Sequence, residues 1–365
     1  MAEITVASGR CWQYSHYVGR RNGAGNGFTQ PIGIVAGKDD VIYVLNRASP
    51  RVTKATVAEQ EFLGDFGRGG EEEGQWVWPT DLALDSNENV YTADEWLNRI
   101  TVFDKDGSIL KTWGEVGEGP GQLNGPSGMT FDADDNLWIV NSLNSRIQKF
   151  TKDGQFIAGF GTKGNAEGEL DMPWGITLDN NGDIYIADWN NHRVQKFNSN
   201  GDYLMTFGSG KQTGVSPSGD TPYIHATVRE VEENPNDLNH PTGVAVDQDG
   251  DVYVVDWMNE RVVIFNSLGG TLATLRGEAR GLSKWAQMSI NANPDMGKAR
   301  RRVKNPEVQN YFRMPVACTF DQATNRLMIA DTHRGRVQVF EKDQDYMDPQ
   351  FNLSLIHISE PTRPY

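Results

Sequence analysis

The chain has 365 residues, and its 49 acidic side chains outweigh 34 basic ones to give a formal net charge of −15. So acidic a surface repels phosphate backbones, and no strip of Lys or Arg recurs along the chain, which argues against nucleic-acid partners. Apolar residues make up 38%, with ten Trp and fifteen Phe, enough for a sizeable core, while no apolar run approaches a bilayer span.

Met1–Val6 lacks the basic and apolar regions of a secretory leader. The only cysteines, Cys11 and Cys318, allow at most one disulfide, and the expectation is two free buried thiols in a cytoplasmic monomer with no membrane partner. Six units then follow, each opening on a proline: Pro31, Pro79, Pro126, Pro173, Pro241 and Pro315. Each continues through two short β-branched runs separated by a turn. The second run ends in Asp or Asn, with Arg five residues later: Asn46/Arg51, Asp94/Arg99, Asn141/Arg146, Asp188/Arg193, Asp256/Arg261 and Asp331/Arg336. The first four prolines lie 47 or 48 residues apart, and the spacing then widens to 68 and 74. A repeat of this size, strand-rich throughout, predicts an all-β, six-bladed propeller of four-stranded antiparallel blades spanning residues 1–352.

The fourth unit is the cleanest. Gly175–Asp179 and Ile184–Ala187 read as strands around an Asn-Asn-Gly-Asp hairpin turn, Arg193–Phe197 alternates as a third strand, and Tyr203–Phe207 is the fourth. The sixth unit supplies only three strands, ending at Arg336–Phe340. Tyr14–Val18, followed by a Gly-rich segment, has the layout that precedes every other unit, so the N-terminal strand is expected to complete the last blade and close the ring.

Asp188-Trp189-Asn190-Asn191-His192-Arg193-Val194-Gln195 carries a resemblance to the NHL repeat family, with degenerate versions at Asn98-Arg99, Asn259-Glu260-Arg261 and Gly335-Arg336-Val337-Gln338. The resemblance covers about residues 28–340 and implies the propeller fold. Some tripartite-motif relatives in that family bind RNA through a basic face, which this acidic chain lacks. Function is carried by sites grafted on such folds, and the resemblance does not specify one.

Two insertions break the period. Residues 209–239 are punctuated by Ser, Gly and Pro and then turn acidic at Glu230, Glu232, Glu233 and Asp237. Residues 277–312 are expected to hold short helices at Ser283–Ile290 and Lys298–Phe312, with a basic cluster at Lys298, Arg300, Arg301, Arg302 and Lys304 that could pair with the propeller's own acidic face. Long connections of this kind are often lids or binding loops. Beyond about residue 353, LSLIHISEPTR abandons the repeat and reads as translated adapter sequence, so residues 353–365, including His357, carry no functional weight.

In a propeller the Asp-to-Arg loops and the insertions share one face. Asp94, Asp188, Asp256 and Asp331 could ring the channel mouth and hold a ligand or cation there. The same recurrence also fits a structural clamp between each carboxylate and its Arg. Trp76, Trp78, Trp96, Trp174, Trp189 and Trp257 fall in connections assigned to that face, with Trp285 in the larger insertion; indoles in loops suggest stacking surfaces for a sugar ring or another flat ligand. Trp113 and Trp138 occupy ordinary strand positions.

His192, His240 and His333 are the candidate ligands for a divalent metal in the channel, if all three turn toward the axis. The amidating lyases that cleave peptidyl-hydroxyglycine are similar propellers that use a His-bound metal, but their His after the repeat Pro is absent here: Ile32, Thr80, Ser127, Trp174, Thr242 and Val316 stand there. Asp247–Asp251 looks like a calcium loop without its terminal Glu and sits where a hairpin turn belongs. The Gly-rich Gly67–Gly74 and Gly114–Gly125 lack the Lys-Ser/Thr of a phosphate loop. The sequence therefore supports a non-enzymatic propeller that binds a small molecule or partner protein on its Trp-rich face, at Trp96, Trp174, Trp189 and Trp257. The alternative is a metal-assisted lyase or hydrolase at the channel mouth.

Overall fold

The computed structural model describes residues 4–23, 25–211, 234–304 and 306–343. The acidic stretch at 230–233 and the tail from 353 lie outside these. Each Pro-anchored unit forms one antiparallel sheet, giving six blades. The inner strands are Pro31–Ala36, Pro79–Leu84, Pro126–Phe131, Ile176–Leu178, Pro241–Val246 and Ala317–Asp321. Each packs against the next, and Ala317–Asp321 returns to Pro31–Ala36, so the ring is closed.

Burial follows position within the blade. The second strands Val90–Asp94, Ile184–Asp188 and Val252–Asp256 are buried at every residue because neighbouring blades cover both faces. Near the axis the inner strands come very close. A Cβ on Gly128 would stand 2.5 Å from the Trp174 carbonyl oxygen, and one on Gly175 only 2.2 Å from that of Thr242, so backbone rather than side chain must occupy these points. Hydroxyls then stitch blade to blade. Thr80 Oγ1 donates to the Pro126 carbonyl (2.9 Å), Ser127 Oγ to Trp174 (2.9 Å), Thr242 Oγ1 to Val316 (2.7 Å) and Thr332 Oγ1 to Pro31 (2.7 Å).

Closure occurs as the N-terminal strand predicts, with additions. Arg10–Val18 pairs antiparallel with Arg336–Asp343. Ile4–Ala7 folds back on Arg10–Gln13 as a fifth strand, which the repeat pattern does not reveal because it has no counterpart in the other units. Lys342, fully buried, crosses to the hairpin turn of blade 5, where its Nζ donates to Asp247, to Asp249 (2.8 Å) and to Asp251 (2.7 Å). Arg10 Nε adds a contact to Asp251 Oδ2 at 3.0 Å. Trp12 Nε1 donates to Tyr253 Oη, which donates in turn to Asp247 Oδ2. The turn that looks like a calcium loop is thus a hairpin whose cation is a lysine. Cys11 and Cys318 are free and buried.

The larger insertion folds as helices Lys284–Ala292 and Pro294–Arg301. The second lies earlier than the expected Lys298–Phe312 because Asn293 caps it, accepting from the Asp295 amide, and proline is well placed in a first turn. Trp285 is buried against Phe28 and Phe62, its Nε1 donating to the Gln60 carbonyl, and Ser283 Oγ donates to the Gly19 carbonyl. The insertion therefore straps blade 1 to the segment that follows the closing strand. Arg300, Arg301, Arg302 and Lys304 remain exposed on it. No helix among the described residues is long and apolar enough to cross a membrane.

Candidate ligand site at the channel mouth

The Asp/Asn–Arg pairs build the loops of the decorated face. In every blade an oxygen of the Asp or Asn accepts a backbone amide 17 or 18 residues earlier: Thr29, Val77, Asn124, Asp171, Asn239 and Arg313 are the donors. In every blade, too, the Arg donates to carbonyls of the preceding connection, as Arg99 does to Gln75 and Arg193 to Glu169, both at 2.8 Å. The direct clamp between the two partners exists only in blades 4, 5 and 6, with Nε–carboxylate distances of 2.9, 2.6 and 2.7 Å. In blade 2, Asp94 spends its second oxygen on the Trp96 and Leu97 amides instead. Burial raises the carboxyls of Asp188, Asp256 and Asp331, with hydrogen bonds and the Arg partners opposing it. Asp94, Asp188, Asp256 and Asp331 are at most 1% exposed, so the expected ring of ligand-facing carboxylates is turned inward and serves the loops.

The aromatic residues divide. Trp76 and Trp285 are core residues, each 1% exposed, because a loop position does not fix the direction of its side chain. Trp78 is half exposed and sits under the Arg47 guanidinium at 4.9 Å, while Trp96 stands alone and 69% exposed. Trp189, His192, His240 and Trp257, from blades 4 and 5, come together. Ring centroids lie 4.2 Å apart for Trp189–His240, 4.4 Å for His192–His240 and 6.3 Å for Trp189–Trp257. Trp174 lines the channel.

His240 holds this cluster in place. It precedes Pro241 with φ +54°, a left-handed conformation costing on the order of 1 kcal/mol for a residue with a Cβ. Its amide donates to His192 Nδ1 (3.1 Å), and its own Nδ1 lies 2.7 Å from Asn239 Oδ1. In the tautomer that donates from Nδ1 to this oxygen, Nε2 keeps its lone pair. Burial, and then His192, lowers the His240 pKa to about 4, and burial lowers His192 as well. Both imidazoles are therefore neutral near pH 7.

His333 does not join them. Its neighbours are Arg313 and Arg21, whose charges add to burial in lowering its pKa and would repel a cation. Among the described residues the one convergent group of three possible ligands is Asp247, Asp249 and Asp251, which Lys342 already fills. These donors do not fit a metal held in the channel by His192, His240 and His333.

Below the mouth, the inner strands enclose a cavity of about 340 Å³. Its wall carries hydroxyls, backbone and apolar side chains, and one carboxylate, Asp81. This residue was not among the sequence candidates, although the repeat exposes it. Two positions after the anchor proline stand Gly33, Asp81, Gly128, Gly175, Gly243 and Ala317. Asp81 Oδ2 accepts from the Met129 amide at 2.9 Å. Burial pushes its carboxyl up to about 7 against the pull of the Met129 and Leu82 amides.

A closed six-bladed ring with an aromatic mouth defines a propeller built to present one decorated face. The NHL repeat model matches residues 170–197 and 238–265, in blades 4 and 5, and together with the six-bladed architecture it makes this an NHL-repeat β-propeller protein. Solved structures share the fold at low identity. A Bacteroides thetaiotaomicron protein of unknown function is 16% identical over 92% of this chain and 76% of its own, with a TM-score of 0.59. A gluconolactonase from Xanthomonas campestris is 14% identical over 92% and 90% (TM-score 0.55). A virginiamycin B lyase from Staphylococcus aureus, solved with quinupristin, is 14% identical over 93% and 94% (TM-score 0.52).

Proposed function

We propose that the protein binds a small, partly aromatic or apolar ligand at the channel mouth between blades 4 and 5. Trp189 and Trp257 form the stacking surface and Trp174 the wall below. The observation that carries this reading is the packing of two half-buried indoles with two neutral imidazoles where the loops of blades 4 and 5 meet. Rigid aromatic surface of this kind gives large contact area at little entropic cost. A library of monocyclic aromatic fragments, read by saturation-transfer NMR, tests it. Fragments should bind the wild type and lose at least ten-fold in affinity in the Trp189→Ala/Trp257→Ala double variant, with the thermal melt unchanged. Binding retained in that variant places the site elsewhere.

A second reading, lyase or hydrolase chemistry on the same face, draws on His240, whose imidazole is neutral at pH 7 and able to accept a proton, although a pKa lowered to about 4 makes it a weak base there. The gluconolactonase and the virginiamycin B lyase do chemistry on this fold, which makes the reading worth testing here. Turnover of gluconolactone or quinupristin that disappears in His240→Gln would establish it. Turnover unaffected by that change would remove His240 from the account.

A further inference from the structure

Asp81 is out of place in three respects. First, four of the other five blades put glycine at its position and the fifth puts alanine, and all are compatible with the ring. The aspartate is therefore not required by the fold. Second, it lies in the channel wall yet presents surface to the lumen, and backbone amides of Leu82 and Met129 are its hydrogen-bond donors; among the described residues no cationic side chain acts on it. Third, the neighbouring inner strand leaves room for it: a Cβ on Gly33 would stand 2.9 Å from Asp81 Oδ1. Burying a carboxylate without a counter-ion disfavours its charged form. At the closure, by contrast, a cation, Lys342, is brought to the buried carboxylates.

We propose that the channel is a binding site for small organic ammonium ions, with Asp81 supplying the counter-charge and the lumen wall receiving the apolar body. The wall around it is mixed: alkyl groups such as Ile34 and Val244 alternate with bare backbone and with the hydroxyls of Thr80, Thr130, Thr177 and Thr242. A divalent metal wants several ligating side chains at one point, and among the described residues Asp81 belongs to no convergent group of three. An ammonium needs a single counter-charge and tolerates apolar surroundings on its organic side. The net charge of −15 draws cations toward the protein, and the indoles at the mouth offer π-faces along the way in. The ligand reaches Asp81 from the Trp189/Trp257 face, so the entry route rests on the binding reading above, while the ammonium preference rests on Asp81 alone.

Benzylammonium and benzyl alcohol separate the two. They share a ring and differ in charge, and their affinities can be measured by ligand-observed NMR. Wild type should bind benzylammonium at least ten-fold tighter than benzyl alcohol at pH 8. Asp81→Asn and Asp81→Gly should abolish that ratio; the glycine variant reproduces the residue of four sister blades and keeps the test free of misfolding. As pH falls below about 7 the preference should fade as Asp81 protonates. The only other titratable side chain in the lining is the Cys318 thiol, pushed up by burial and neutral throughout this range. Trp189→Ala/Trp257→Ala should weaken both probes together without changing their ratio. Equal binding of the two probes by wild type, no binding of either, or a ratio that survives both Asp81 variants overturns the proposal. A ratio that persists while the Trp variant changes neither affinity overturns the mouth reading and leaves the ammonium site standing.

Discussion

Two groups of buried carboxylate sit in the same ring and are treated in opposite ways. At the closure, Asp247, Asp249 and Asp251 surround Lys342, and Arg10 adds a second cation. In the channel, Asp81 has only backbone amides. Burial alone would lower the Lys342 pKa, but hydrogen bonds to three carboxylates reverse that and raise it. Nothing comparable restrains Asp81, whose carboxyl climbs to about 7. A saturated cluster ties parts of the chain together, whereas an unsaturated one is a standing cost that a ligand can relieve.

The largest effect should come from emptying the saturated cluster. Lys342→Met leaves its carboxylates buried without their ammonium and should cost about 3–5 kcal/mol in urea denaturation. A loss below about 1 kcal/mol would show that the closure does not depend on this contact. Next comes Asp81→Asn. Because the folded pKa of Asp81 lies above its unfolded value near 3.8, its contribution is most favourable below pH 4 and is lost as pH rises through about 7. The variant should therefore be more stable than wild type at pH 8, by about 2–4 kcal/mol, and close to it at pH 4. A difference independent of pH would mean that the carboxyl does not titrate in this range. Smallest is Asp249→Asn. Asp249 is 31% exposed and Lys342 keeps two other partners, so chemical denaturation should register a change of less than about 1 kcal/mol. A larger change would make Asp249 a full member of the buried set.

The ring was legible because its signals repeat. The anchor prolines, the Asp/Asn–Arg spacing and the alternation in Arg193–Phe197 recur at fixed offsets, and the strands of blade 4 fall within a residue or two of their predicted limits. Features that occur once were harder to see. Ile4–Ala7 has no sister unit, and the Asn293-Pro294 cap that starts the second helix sits inside an insertion without periodicity. The site was legible as a face but not as a constellation. His192 and His240 meet because a loop of blade 4 reaches the entry of blade 5, a tertiary contact that neither local pattern contains. Trp76, in the connection before blade 2, and Trp285, on the first helix of the insertion, turn into packing while Trp189 does not. Asp81 was visible only by comparing repeats, as one carboxylate among glycines and alanine.

The closing sheet also sets an order of events. Its strand Arg10–Val18 is made first and pairs with Arg336–Asp343, which is made after every other blade. During synthesis the early strand must wait with its edge unpaired, and long-range pairing of this kind is the slow, association-prone step of β folding. Arg10 and Trp12 on that strand, and Lys342 on its partner, all reach the same turn of blade 5. The turn is complete before the last strand emerges, so it can receive the early strand and hold it beside the place its partner will take. The ring carries its own latch, set in the fifth blade and thrown by the sixth.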